Sequence, residues 1–308
     1  MAQNKTLSGL ANGLPDRDIV FIPIESDPVH INQEANTLGF INADGSGLAL
    51  YRFEMKGGSL SNFGFPYYTS VAFRPRWAAD GTAVFFLLPD SGPNLRVIRS
   101  DGEIVGQDCY IVAHATSTSD TAGNVYGVVD ENAPIWNNYK DRMGRNAWLI
   151  IRFSLLECAV KGEFMLPSKS EWRFPNDIGE SDGGTIVVNY YDSASRNEKI
   201  LIVDSITGRQ YSFDGYHPAL NNDGNILAYY KADGALVIRD VFTNEEKILD
   251  NALQNEKVQD ISSYFSTPGW SPDNQWLVYN TANGQIFKIN IKTLEKIYLA
   301  DGWHPDWR

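Results

Sequence analysis

The sequence is poor in the residues that carry metal and thiol chemistry. Of its 308 residues only two are cysteine, Cys109 and Cys158, and four are histidine. Two cysteines without motif spacing exclude a disulfide framework and a cysteine metal cluster. Two reduced thiols are the expectation, with a single bridge left open. None of His30, His114, His217 and His304 belongs to a metal-binding doublet, so neither a metal nor a cofactor is expected. No phosphate-cradling glycine loop and no calcium loop occurs. The string Gly179-Glu180-Ser181-Asp182-Gly183 has the spacing of a nucleophile elbow. That device needs a helix after it, and here a β-rich run follows.

Positive charge is also scarce. Lys and Arg number 26 against 38 Asp and Glu, for a net charge of −12. Nucleic acid and anionic membrane surfaces both require a positive field, so neither is an expected partner. No apolar run reaches the ~18 residues of a spanning helix, so no membrane insertion is expected. The polar stretch 1–13 lacks the apolar core of a signal peptide. A soluble protein is expected, cytoplasmic if Met1 is native and periplasmic or secreted if a leader was removed.

Helical periodicity is almost absent. Short β-rich runs take its place, such as Ala83-Val84-Phe85-Phe86, Thr185-Ile186-Val187-Val188 and Gln275-Trp276-Leu277-Val278. Turn residues separate them, which predicts an all-β chain. Aligning the turns exposes a repeat. Phe73-Arg74-Pro75-Arg76-Trp77, Tyr216-His217-Pro218-Ala219-Leu220 and Ser266-Thr267-Pro268-Gly269-Trp270 each lead into a tight turn and an apolar strand. The turns are Asp80-Gly81, Asp223-Gly224 and Asp273-Asn274. Looser copies run from Trp172 to Gly183 and around His114 to Val129. The spacing of about 40 to 60 residues fits a four-stranded propeller blade.

The ends complete the pattern. Gly302-Trp303-His304-Pro305-Asp306-Trp307 opens a further copy whose remaining strands lie at the start, near 18–24, 38–43 and 48–53. The expectation is one domain over 1–308. It is a six-bladed β-propeller with four-stranded blades, closed by the C-terminal strand completing the N-terminal blade (about 14–55 with 302–308). Closure of this kind hides sheet edges.

Phe40-Ile41-Asn42-Ala43-Asp44-Gly45 and Pro268-Gly269-Trp270-Ser271-Pro272-Asp273-Asn274 resemble the WD40-like Pro-Asp repeat of TolB-type propellers. The resemblance covers nearly the whole chain, strongly in blades one, two, five and six and weakly in three and four. It implies the fold and a habit of binding other proteins. No counterpart of TolB's additional α/β domain and export signal is expected in these residues, so TolB's own role is not carried over.

In such a blade the connections after strands one and three share one end, and those after strand two and between blades share the other. The first set reads as short, the second as long and varied, including 25–37, 130–147 and 192–199. Function is expected at the long end. The residue before each repeat proline should ring the channel mouth there: Arg74, Phe174, His217, Thr267 and His304, with Thr116 in the degenerate copy. The insertion 130–147 adds Trp136, Tyr139 and Arg142, residue types that anchor interfaces. Trp77, Trp270 and Trp307 share one repeat position and are expected in the core between blades. The functional expectation is a non-catalytic scaffold that binds another protein or a peptide. The alternatives are a sugar lyase or hydrolase working at the channel mouth, or a binder of carbohydrate or small ligands.

Overall fold

The computed structural model describes residues 14–23, 37–52, 75–78, 81–88, 94–102, 104–105, 124–128, 147–154, 159–167, 177–181, 184–204, 206–251 and 267–308. Every element among them is a strand. Strands β1 (Ile19–Pro23), β2 (Thr37–Ile41) and β3 (Ala49–Arg52) open the chain. A four-stranded sheet follows, from β4 (Arg76–Trp77), β5 (Ala83–Leu88), β6 (Asn94–Arg99) and β7 (Ile104–Val105). Strands β8 (Asn124–Val128), β9 (Ala147–Ser154) and β10 (Ala159–Pro167) make three neighbours of the next sheet. The first strand expected there, near His114, lies outside the described residues, as do Cys109 and Cys158.

Two complete sheets come next. One is β11 (Asp177–Glu180), β12 (Thr185–Asp192), β13 (Asn197–Asp204) and β14 (Gln210–Asp214). The other is β15 (Tyr216–Leu220), β16 (Ile226–Tyr230), β17 (Leu236–Asp240) and β18 (Glu246–Asp250). The last strands are β19 (Gly269–Trp270), β20 (Trp276–Asn280), β21 (Gln285–Asn290) and β22 (Lys296–Trp307). They join β1–β3 in a seven-stranded sheet of order β19-β20-β21-β22-β1-β2-β3.

That long sheet is two units sharing one strand. The first half of β22 pairs with β21, from Ile289↔Lys296 to Gln285↔Asp301. Its second half pairs with β1, from Pro23↔Gly302 to Ile19↔Trp307. The last strand of the chain therefore lies against the first described one. The changeover needs a glycine. A Cβ at Gly302 would sit 2.5 Å from the Phe21 ring and 2.6 Å from the Ile22 carbonyl oxygen.

Strand alternation explains the packing. In β16, Leu227 and Tyr229 join a cluster with Val187, Ile200 and Ile202 of the preceding sheet. Ala228 and Tyr230 turn the other way and join Leu277, Tyr279 and Trp270 of the following one. Successive side chains point to opposite faces, so each second strand glues two neighbours. The same arrangement links β20–β22 to β1 and β2 through Val278, Ile286, Ile19 and Phe21. Val20 and Phe40 meet Trp77 and Val84. Each fully buried side chain of this size contributes roughly 1.5–3 kcal/mol. Trp77 and Trp270 are buried in these clusters, and Trp307 packs against one of them.

The two ends of the sheets differ. Among the described residues, turns after first and third strands are short and hydrogen-bonded, with Asn221 N–H to Ile226 O at 2.9 Å and Asp204 N–H to Arg209 O at 2.9 Å. At the other end the strands are separated by long intervals of sequence, 24–36, 53–75, 129–146, 168–176 and 251–268. Not every connection there is long. The stretch 192–199, expected as a long loop, is a tight turn, because Asp192 already pairs with Asn197. Asp192 caps it by accepting from Ala194 N–H at 3.1 Å and Ser195 Oγ at 2.9 Å.

Candidate functional site

Among the described residues, the first strand of a unit starts at the end where the long intervals of sequence fall. Cross-strand pairs fix its register: Glu180↔Ile186, Leu220↔Leu227, Trp270↔Leu277 and Ile19↔Trp307 are equivalent. Three residues earlier, Asp177, His217, Thr267 and His304 share one position. First strands touch in succession: β11 with β15, β15 with β19, β19 with β22 and β22 with β4. These four residues therefore belong to one neighbourhood. All are buried, at 2–9% exposure, so they line an interior position and not an open rim.

The backbone there is unusual. His217 and His304 have φ of 50° and 52°. Left-handed backbone costs a non-glycine residue about 1–2 kcal/mol. An asparagine of the preceding unit holds each in place. His217 N–H donates to Asn189 Oδ1 at 3.3 Å, and His304 N–H to Asn280 Oδ1 at 3.1 Å. Asn189 also donates to the carbonyls of Lys199 at 2.9 Å and Gly215 at 3.2 Å. One buried side chain thus ties the crossover between two sheets.

The side chains form two groups. His217 Nδ1 lies 3.0 Å from Asp177 Oδ2. A carboxylate in this position fixes the orientation of an imidazole. Two residues beyond His304, Asp306 meets Arg76 at 3.2 Å and accepts from Trp77 N–H at 2.7 Å. Arg76 also donates to the Thr267 carbonyl at 3.1 Å. Burial pushes the Asp306 carboxyl above its ordinary value, against the opposing pull of Arg76 and Trp77 N–H. The Thr267 hydroxyl is buried without a hydrogen-bond partner among the described residues. It retains donor and acceptor capacity for a group entering between the first strands.

His217, Thr267 and His304 occupy equivalent positions on successive first strands, but buried, where an open channel mouth was expected. Arg74, Trp136, Tyr139 and Arg142 lie outside the described residues, as do Thr116 and Phe174. One assignment changes. Aligning on Pro175 puts Phe174 at the mouth, but pairing gives that position to Asp177. The turn after β11 closes from Ser181 N–H to Thr185 O, one residue shorter than Asn221 to Ile226 or Ser271 to Trp276. The turn glycine with positive φ is Gly184, not Gly183, and Asp177 stands before it at the same spacing as His217 before Gly224 and Thr267 before Asn274. The Arg76–Asp306 pair was missed although opposite charges stand at one repeat position of adjacent copies.

Among the described residues, no three His, Cys, Asp or Glu side chains are grouped to hold a metal ion. No helix among them is long and apolar enough to cross a membrane. Neither known family models nor curated proteins match the chain. Solved structures do. The tricorn protease matches with a TM-score of 0.50 at 13% identity, over 93% of this chain and 26% of that one. The β-propeller domain of Myceliophteria thermophila Cps50 (Swd1) matches at 0.43 with 10% identity, over 78% and 68%. Kuenenia stuttgartiensis hydrazine synthase matches at 0.43 with 13% identity, over 79% and 70%. This chain therefore spans about a quarter of the tricorn protease chain. The fold of this all-β chain is a β-propeller.

Proposed function

We propose that the chain is one six-bladed propeller domain of the TolB type over 1–308 that binds a protein or peptide without catalysis. The sheet order supports six blades. The seven-stranded sheet splits at β22 into two units, and the other four sheets supply one unit each. In this reading β22 closes the ring by supplying the first strand of the β1–β3 blade.

The observation that carries the binding reading is the asymmetry of the sheet ends. Long intervals of sequence separate the strands at one end, while the described turns at the other follow a hydrogen-bonded pattern repeated from sheet to sheet. Chain that the frame does not need, placed on one side of a rigid scaffold, is where recognition is usually built. The contacts assigned are Arg74, Trp136, Tyr139 and Arg142, with His217, Thr267 and His304 between the first strands. Because those three are buried, they take only a group that enters between the blades, such as a side chain or a terminus.

The test is capture of interactors from the source cell by wild type and by Trp136→Ala and Arg142→Ala. Loss of the same captured protein at an unchanged melting temperature supports the reading. Equal capture by the variants removes these residues from the site. A second reading, a hydrolase or lyase at the same mouth, rests on the His217–Asp177 pair, in which a carboxylate orients a potential general base. Turnover of glycan or peptide substrates that His217→Gln abolishes would select it.

A further inference from the structure

The short-turn end carries a feature that folding does not require. The turns between third and fourth strands of three successive units have one design. Asp204 Oδ1 accepts from Ile206 N–H at 2.9 Å and Thr207 N–H at 3.1 Å. Asp240 Oδ1 does the same for Phe242 at 2.9 Å and Thr243 at 2.7 Å. Asn290 Oδ1 repeats it for Lys292 and Thr293, both at 3.0 Å. The residue in the middle of the design is Ile206, Phe242 or Lys292, so the turn tolerates a charged side chain there. Yet Ile206 is 80% exposed and Phe242 72% exposed.

A third apolar side chain stands two residues further along. Gly208, Asn244 and Leu294 are equivalent and all have positive φ, with Leu294 at 63°. Glycine and asparagine accept that backbone readily and leucine does not. Leu294 keeps the strain while 43% exposed. Retained strain and exposed apolar side chains on rigid turns are the marks of preorganised contact residues.

The surroundings set the partner's charge. Asp223, Asp273, Glu245 and Glu295 are exposed on turns at this end of the same sheets. The exposed cations at these turns are Arg209, Lys292 and Lys247, whose ammonium donates to the Ile291 and Lys292 carbonyls at 2.7 and 3.2 Å, so the acids still outnumber them. The platform is held firm between units: Asn222 N–H donates to Asn274 Oδ1 at 3.1 Å, and Asn274 Nδ2 to Asp223 Oδ2 at 3.1 Å.

We propose that Ile206, Phe242 and Leu294 form a second docking surface, on the short-turn end, for a basic polypeptide segment bearing apolar side chains. The occupant is chosen by charge. The acidic rim repels a second copy of a chain of net charge −12, and it attracts lysine and arginine. The surface is separate from the long-connection end, so the two sites stand or fall independently.

The test uses a fluorescent amphipathic Lys/Leu peptide and its Glu/Leu counterpart, titrated with the full chain. The Lys/Leu peptide binds and the Glu/Leu peptide does not. Joint replacement Ile206→Ser and Phe242→Ser weakens binding by about tenfold or more at an unchanged melting temperature. Leu294→Gly weakens binding while raising the melting temperature, a pairing that a purely structural leucine would not give. Absent binding of the Lys/Leu peptide, or equal affinity in the double variant, overturns the proposal. So does a wild-type dimer that the double variant dissolves, since a second copy would then be the occupant.

Discussion

Asp306→Asn should loosen the junction between the end of the chain and its first sheets. Asp306 is 2% exposed and Arg76 3% exposed. The substitution keeps the shape but removes the negative charge that Arg76 meets at 3.2 Å. The amide keeps one acceptor oxygen, so it can no longer serve both Arg76 and the Trp77 N–H, and the guanidinium is left with no counter-charge beside the Thr267 carbonyl. Breaking a buried ion pair from one side costs about 3–5 kcal/mol, because the remaining charge stays buried without compensation. At about 2.1 cal/mol/K per residue of unfolding entropy, a chain of this length should melt about 5–8 °C lower. Calorimetry reads the shift. The double replacement Arg76→Met with Asp306→Leu removes both charges and should recover most of the loss. The reasoning is refuted if Asp306→Asn melts with wild type, or if the double variant is worse than the single one.

Two further perturbations test other parts of the frame. Gly302→Ala forces a Cβ against Phe21 and the Ile22 carbonyl, so it should cost about 1–3 kcal/mol, read as a lower urea midpoint at unchanged slope. Burial alone would raise the Glu246 carboxyl, but hydrogen bonds from Lys231 and Tyr229 outweigh it and hold it below its ordinary 4.5. A lowered carboxyl contributes stability above its unfolded value that is lost as pH falls through the folded one. Wild type should therefore lose stability below about pH 4.5 more steeply than Glu246→Gln, whereas parallel acid denaturation curves would exclude this contribution.

Much of the frame is legible without coordinates. Turn pairs such as Asp223-Gly224 and Asp273-Asn274 are local chemistry, and Gly224 and Asn274 do take positive φ. The core tryptophans follow from repeat position alone. Reading fails where the repeat decays. In the copy around Pro175 the proline stands out of register with the strand, so the proline signal pointed to Phe174, while hydrogen-bonded pairing selects Asp177. The stretch 192–199 looks like a loop from its polar composition, but Asp192 and Ser195 are polar because they build a capped turn.

Local sequence determined which runs become strands, where the tight turns fall and which faces are apolar, because alternation and turn preference act between near neighbours. Only the tertiary structure decided that Asp177 meets His217, that Asp306 meets Arg76, and that Asn189 ties the crossover at His217. Those partners are 40, 230 and 28 residues apart in the chain. Their meeting depends on the register of whole sheets and the stacking of one sheet on the next, which no short stretch of sequence encodes.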